Sequence, residues 1–341
     1  MIRSAGILGI AAIAFAGAVS HSAARSPASV NDAAILEGMP RTLSEFRFFT
    51  VPSKQLSTTV IPYELNTPLY SDGADKLRFV YVPRGEQIAT DGEGLLQFPV
   101  GSALIKTFAF GKDDNRRLIE TRVMLHRANG WLALPYRWNS EQTEATLALA
   151  GGRLPITTLS GEEISYRIPN KNQCKACHSK DGEVVPIGPK ARNLSREWLA
   201  QMVDHGQLTA MPANSDTFPD WENRKGADIA DLARAYLDVN CAHCHQPGGG
   251  ASNSGLDLRW EQDDPHAIGI RKPPVAAGRG AGGHKVSIAP GDPDASIMLY
   301  RMSSTEPGVA MPELGKATVD FDGVAVLREW IENMAEANEA S

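Results

Sequence analysis

The spacing of apolar positions changes character once along the chain. Across residues 43–167 they fall in short runs that predict strands. The run at 76–82 stops at Pro83. The run at 103–110 follows Gly101 and carries apolar side chains on both faces. The run at 118–127 alternates, with Ile119, Thr121, Val123 and Leu125 on one side, as in a half-buried strand. Two further strands are expected at 131–138 and 164–168, with turns at 111–115 and 129–130. Short strands at this spacing predict a sandwich or open barrel. Trp131, Tyr136 and Trp138 read as core packing before a binding surface, and His126 as a structural or solvent-facing residue before a ligand or proton carrier.

Beyond residue 168 the period becomes helical. Trp198, Leu199, Met202 and Val203 share a face behind a cap at Ser195. Ile229, Leu232, Ala233, Tyr236 and Leu237 form a stronger stripe, and Val324, Leu327, Ile331 and Met334 form a third near the carboxyl end. Glycine-rich stretches at 248–255 and 277–283 read as loops.

The first 24 residues read as a secretory signal peptide, with Arg3 ahead of an uncharged apolar run over residues 5–19. That run is shorter than the roughly 20 residues needed to span a bilayer. An uncleaved anchor is the alternative, and no later stretch is apolar enough to cross a membrane. About 315 residues remain, enough for two or three domains. Hydrophobic residues make up 42% and charged residues 22%; the net charge of −6, which becomes −7 once Arg3 leaves, makes nucleic acid an unsuitable partner.

Candidate chemistry lies in two pentapeptides, Cys174-Lys175-Ala176-Cys177-His178 and Cys241-Ala242-His243-Cys244-His245. The spacing C-x-x-C-H is that of covalent c-type haem attachment. Two thiols a helical turn apart each form a thioether to a vinyl group, and the adjacent histidine reaches the iron. The motifs use all four cysteines. A single four-cysteine zinc site is the alternative. It needs no histidine after each pair, and zinc ribbons separate their pairs by roughly 15–20 residues, against 64 here (241 − 177). Haem c is attached outside the bacterial cytoplasmic membrane, which agrees with export to the periplasm.

Each iron would have a distal position to fill. Met311 is the candidate for the second haem, in the loop Val309-Ala310-Met311-Pro312-Glu313, whereas Met298 and Met302 fall in a helical stretch where packing accounts for them. Met211, in a second Ala-Met-Pro sequence, is favoured for the first haem, with His205 or an open position as alternatives. A carbonyl near Gly188-Pro189 is expected to accept from the His178 ring, and the acceptor for His245 is unassigned.

The back half resembles class I cytochrome c modules: helix, Cys-x-x-Cys-His, glycine-containing loop, Met-Pro loop, closing helix. The second motif has all these parts, while the first lacks a leading helix. The whole chain is similar to a family of bacterial dihaem c-type cytochromes with a β-rich amino-terminal domain. That likeness runs through Tyr63-Glu64-Leu65-Asn66-Thr67-Pro68-Leu69-Tyr70-Ser71-Asp72, Phe98-Pro99-Val100-Gly101, Ile119-Glu120-Thr121-Arg122 and Pro169-Asn170-Lys171-Asn172-Gln173. The resemblance implies a candidate partner, a parallel β-helix repeat protein encoded nearby. The expected fold class is α+β and multidomain. It comprises the signal at 1–24, a mostly-β sandwich or open barrel over 25–167, and two all-α cytochrome c-like modules at 168–226 and 227–341. The expected function is a periplasmic carrier of electrons between redox partner proteins, holding two covalently attached haem c groups and performing no bond chemistry of its own. A dihaem peroxidase or oxidase is the first alternative, with His205 or Glu222 as acid–base group. A haem outlet for a periplasmic dehydrogenase is the second.

Overall fold

A computed structural model describes residues 29–50, 55–92, 94–213, 216–275 and 278–339; the expected signal peptide lies outside the described residues. The chain opens with helix α1 (Asp32–Leu36) and a small hairpin of β1 (Phe49–Thr50) and β2 (Gln55–Leu56). A six-stranded antiparallel meander follows: β3 (Val60–Tyr63), β4 (Asp75–Tyr81), β5 (Ala103–Phe110), β6 (Arg117–Arg127), β7 (Gly130–Trp138) and β8 (Ala145–Leu147), paired in chain order. A separate hairpin, β9 (Gly152–Thr157) with β10 (Glu163–Ile168), leads to helix α2 (Lys171–Cys177). The pair β11 (Ser179–Lys180) and β12 (Glu183–Val184) precedes helix α3 (Arg196–Asp204). The remaining helices are α4 (Ile229–Asn240), α5 (Pro265–Ile268), α6 (Ile297–Met302) and α7 (Phe321–Glu339).

Both faces of the meander are covered, which is why β5 carries apolar side chains on both faces. One face, with Phe79, Ile105, Val123 and Leu134, packs against Ile35 of α1 and against Phe46 and Phe48. Tyr136 and Trp138 belong to this core; the Tyr136 hydroxyl donates to the Pro40 carbonyl and the Trp138 indole to Thr121 Oγ1. On the other face Val80, Leu104 and Met124 meet Leu199 and Met202 of α3, while Phe108, Phe110 and Ile119 meet Ile164 and Tyr166 of β10. His126 stacks on Trp131 at 4.5 Å and its Nδ1 pairs with the Phe98 carbonyl, a structural role.

The expected alternation along β6 fails at one residue. Pairing with β5 slips between Phe108 and Ala109, so Leu118 turns to the α1 side and Ile119 to the β10 side, apart from Thr121, Val123 and Leu125. A bulge inserts one residue and reverses the facing of what lies beyond it.

The sheet-rich amino-terminal region is present, but the expected pair of all-α cytochrome modules is not. Around the first motif there are only the short helices α2 and α3, joined by a two-stranded hairpin and irregular chain. With so little helix, this segment buries its apolar side chains against the β-sheet instead of closing on itself. After residue 227 four helices are separated by long irregular connections. Of these, α4 and α7 cross through Leu232, Tyr236 and Leu237 against Leu327 and Ile331. Gly323 sits at the crossing, where an added Cβ would lie 2.4 Å from the Tyr236 ring.

Residues 63–72 tie these regions together. The Thr67 amide donates to Asn193 Oδ1, the Tyr70 amide to Asn240 Oδ1, and Asp72 Oδ1 accepts from the amides of Ala317 and Thr318. This loop therefore bonds to chain near both motifs, across the boundaries expected from sequence. No helix among the described residues is long and apolar enough to cross a membrane.

Candidate functional site

Each motif is presented by a capped helix end. Asn170 caps α2: its side chain accepts from the Gln173 amide at 2.8 Å, and Gln173 Oε1 accepts from the Asn170 amide at 3.0 Å. This box accounts for the Pro169-to-Gln173 sequence ahead of the first motif. Cys174 and Cys177 then lie one turn apart, and His178 is the C-cap residue. In the second motif α4 starts at an Asp228 cap and delivers Cys241 as its C-cap; the amides of Cys244 and His245 both turn back to the Cys241 carbonyl.

The histidine rings are oriented from outside the motifs. His178 Nδ1 lies 2.9 Å from the Val185 carbonyl, which can only accept, so Nδ1 carries the proton and Nε2 is left for a metal. The expected acceptor near Pro189 is thus replaced: the β11–β12 hairpin folds Val185 back onto the ring, while the Pro189 carbonyl accepts from the Leu96 amide. His245 Nδ1 lies 2.9 Å from Ser254 Oγ, and that hydroxyl donates to the Ala251 carbonyl, so it accepts from the ring. Both imidazoles are held neutral. Burial and then the Lys106 charge press His178 down to about 3; burial and then His243 press His245 down to about 4. Burial also raises the thiols of Cys174 and Cys241, the latter to about 12.

The two motifs open into one cavity of about 1040 Å³. Its wall carries all four cysteines, His178, His243, His245 and Met311, with Arg78, Lys106 and Arg122 of the sheet opposite. Cys177 and Cys244 interact across it, which lowers the thiol of Cys177 and raises that of Cys244. Sites for one small molecule span about 300–1,000 Å³, so this chamber lies just above that range. A smaller space of about 120 Å³ adjoins it, bordered by His245, Ser254, Met302 and Met311. Among the described residues no group of three or more His, Cys, Asp or Glu side chains is gathered as a metal cluster. The donor set fits haem c: paired thiols, a neutral imidazole beside each pair, and a buried His243 Nδ1 without a partner.

Met311 lines the cavity and the smaller space beside it. Its amide donates to the Arg301 carbonyl, and Lys316 Nζ donates to the carbonyls of Met311 and Met302. Lys316 fastens the Met311 loop to α6, and nothing in the local pattern marks it for that task. Met211 and His205 do not line the cavity. Met211 is partly buried against the cluster around Leu199 and Leu208, because α3 packs on the sheet and carries the following loop with it. His205 is exposed at the end of α3, and Glu222 is exposed on a loop. His243, within the second motif, is given no role from sequence; among the described residues it is the one histidine of the cavity outside the two terminal motif positions.

A family model described as cytochrome c oxidase, cbb3-type, subunit III, matches residues 166–225. That span holds the first motif and identifies a c-type cytochrome module. Covalently bound haem c and a general role in haem-based electron transfer come with it. No curated protein and no solved structure matches the chain. The match falls on the segment that sequence reading judged the less complete of the two.

Proposed function

We propose that this chain is a periplasmic dihaem c-type cytochrome that carries electrons between redox partner proteins, with one haem attached at Cys174 and Cys177 and the other at Cys241 and Cys244. The observation that carries this reading is the shared cavity, into which both complete pentapeptides open. Haem c bound there would supply one-electron chemistry at an iron whose potential depends on axial ligand and burial. His178 and His245 present neutral Nε2 atoms, with Val185 and Ser254 fixing each ring. Met311 presents its thioether from a loop pinned by Lys316 and is the distal donor for the second iron. His243 replaces Met211 and His205 as distal candidate for the first. Cys177 and Cys244 line the same cavity, which supports transfer of electrons between haems attached there. The segment 1–24 directs export, and a parallel β-helix repeat protein is one candidate partner.

The peroxidase or oxidase reading needs an acid–base group beside an open iron position; His205 and Glu222, its two candidates, are exposed and outside the cavity wall.

Mass spectrometry of the protein exported from cells competent in cytochrome maturation should show two added macrocycles; one or none refutes the dihaem reading. In optical spectra Met311→Ala should abolish the methionine-to-iron charge-transfer band, His243→Ala should alter only the other haem, and Met211→Ala should change neither. Rapid peroxide turnover by the untreated protein would replace the carrier with an enzyme.

A further inference from the structure

The cavity-facing side of the sheet carries a row of charge that the attachment motifs do not explain. Arg78 on β4 is paired directly with Lys106 on β5, and Lys106 with Arg122 on β6. Like charges directly opposite on adjacent strands are destabilising, yet here three stand side by side between two apolar clusters, and all three line the cavity. One carboxylate answers them. Glu120 is fully buried and takes Arg122 in two hydrogen bonds of 2.9 and 2.6 Å, with a third donated by the Tyr166 hydroxyl at 2.8 Å.

Among the described residues Arg78 and Lys106 have no counter-ion in contact. Arg78 is only 9% exposed; its Nη1 donates to the Lys76 carbonyl, and its Nη2 is buried without any partner. The exposed Glu64 acts on it through space alone. Lys106 has no hydrogen-bonded carboxylate and rests over the Phe108 ring at 5.2 Å. The other acids of the cavity wall are engaged or remote: Asp238 holds Lys190 at 2.6 Å, Asp320 accepts from the Tyr236 hydroxyl, and Glu313 is exposed. A buried guanidinium with an unmet donor beside an unpaired ammonium calls for an anion with two or more acceptor oxygens.

We propose that Arg78 and Lys106 bind the propionate carboxylates of the haem attached at the first motif, with Arg122 held in line by Glu120. The inference rests on the haem reading above. The only carboxylates that reading brings into the cavity are the propionates, two per macrocycle, which match the two unanswered cations. The row belongs to the first motif because Glu120, which holds Arg122, also accepts from Tyr166 of β10, the strand that leads directly into α2 and Cys174. The sheet would thereby supply a wall for a haem whose own segment is too short to enclose it.

The test uses the full-length exported protein and Arg78→Gln, Lys106→Met, Arg78→Lys and Lys106→Arg. Haem content by mass is measured first, since a wild type without haem refutes the cytochrome reading itself and not this inference alone. Redox titration then gives two midpoints. Removing one buried positive charge near the iron should raise the oxidised-to-reduced ratio of one haem about tenfold at fixed potential, equivalent to a fall of about 59 mV for one electron. The second haem should be unmoved. Resonance Raman propionate bending modes of the same haem should shift in the charge-removing variants, and the charge-keeping variants should retain midpoints near wild type. If Arg78→Gln or Lys106→Met fails to mature, the Raman shift in Arg78→Lys and Lys106→Arg decides alone. Loaded protein with midpoints and propionate modes unchanged in all four variants overturns the proposal. So does an altered axial-ligand spectrum in Lys106→Met, which would make that lysine an iron ligand.

Discussion

Ser254 shows what a single side chain does at this site. It accepts from His245 Nδ1 and passes its own proton to the Ala251 carbonyl, so one hydroxyl sets both the tautomer and the direction of the ring. Ser254→Ala would leave the buried Nδ1–H without an acceptor, a cost of about 1–3 kcal/mol. Losing the acceptor makes the imidazole a poorer donor to ferric iron. The midpoint of one haem should therefore rise by up to about 59 mV, the one-electron equivalent of tenfold, with haem content unchanged. Redox titration checks this, and an unaltered or lowered midpoint contradicts it. Cysteines and proximal histidines were legible in the sequence because thioether chemistry demands them at contiguous spacing. Val185, Ser254 and Lys316 were not, because a hydrogen bond to a ring or a loop carbonyl can be made by many residue types. Only the returning chain decides which.

At the scale of elements, periodicity located strands and helices well and misjudged their surroundings. The expected strands at 103–110 and 118–127 match β5 and β6 closely, and the stripes at Trp198, Ile229 and Val324 match α3, α4 and α7. The half-buried reading of β6 failed because alternation reports two different environments, not which one is water. Here one face meets α1 and the other meets α3, β10 and the cavity. The α4–α7 crossing depends on a missing side chain. Gly323→Ala would press a methyl group onto the Tyr236 ring and push α7 away from α4. Overpacking of this kind costs about 1–3 kcal/mol, and denaturant unfolding should show that loss. On the dihaem reading proposed above, the spectrum of the haem at Cys241 should change more than that of the other, since α4 carries Cys241.

Over the whole molecule, the loop at 63–72 joins the sheet to the chain around both motifs. Asp72 is a buried link of this loop, and burial raises its carboxyl above the ordinary 3.8 despite the amides of Thr318 and Ala317 that donate to it. A raised carboxyl takes up a proton on folding. Its contribution is thus fully present below pH 3.8 and is lost as pH rises through the elevated value. Asp72→Asn cannot take up that proton. The stability of wild type relative to Asp72→Asn should fall as pH rises through the carboxylate range, measured by urea unfolding at a series of pH values; a difference that grows with pH would contradict the assignment.

By itself the sequence determined the spacing of the two haem-attachment motifs, the place of its most periodic strands and helices, and a methionine in a Met-Pro loop. Each is written in contiguous residues or in a local period. Tertiary structure alone decided that the two motifs share one cavity, that a cationic row on the sheet faces it, and that Met211 packs away from it. Those outcomes depend on which apolar faces find each other across more than a hundred residues. No short pattern records a contact whose partners are set by the packing of everything between them.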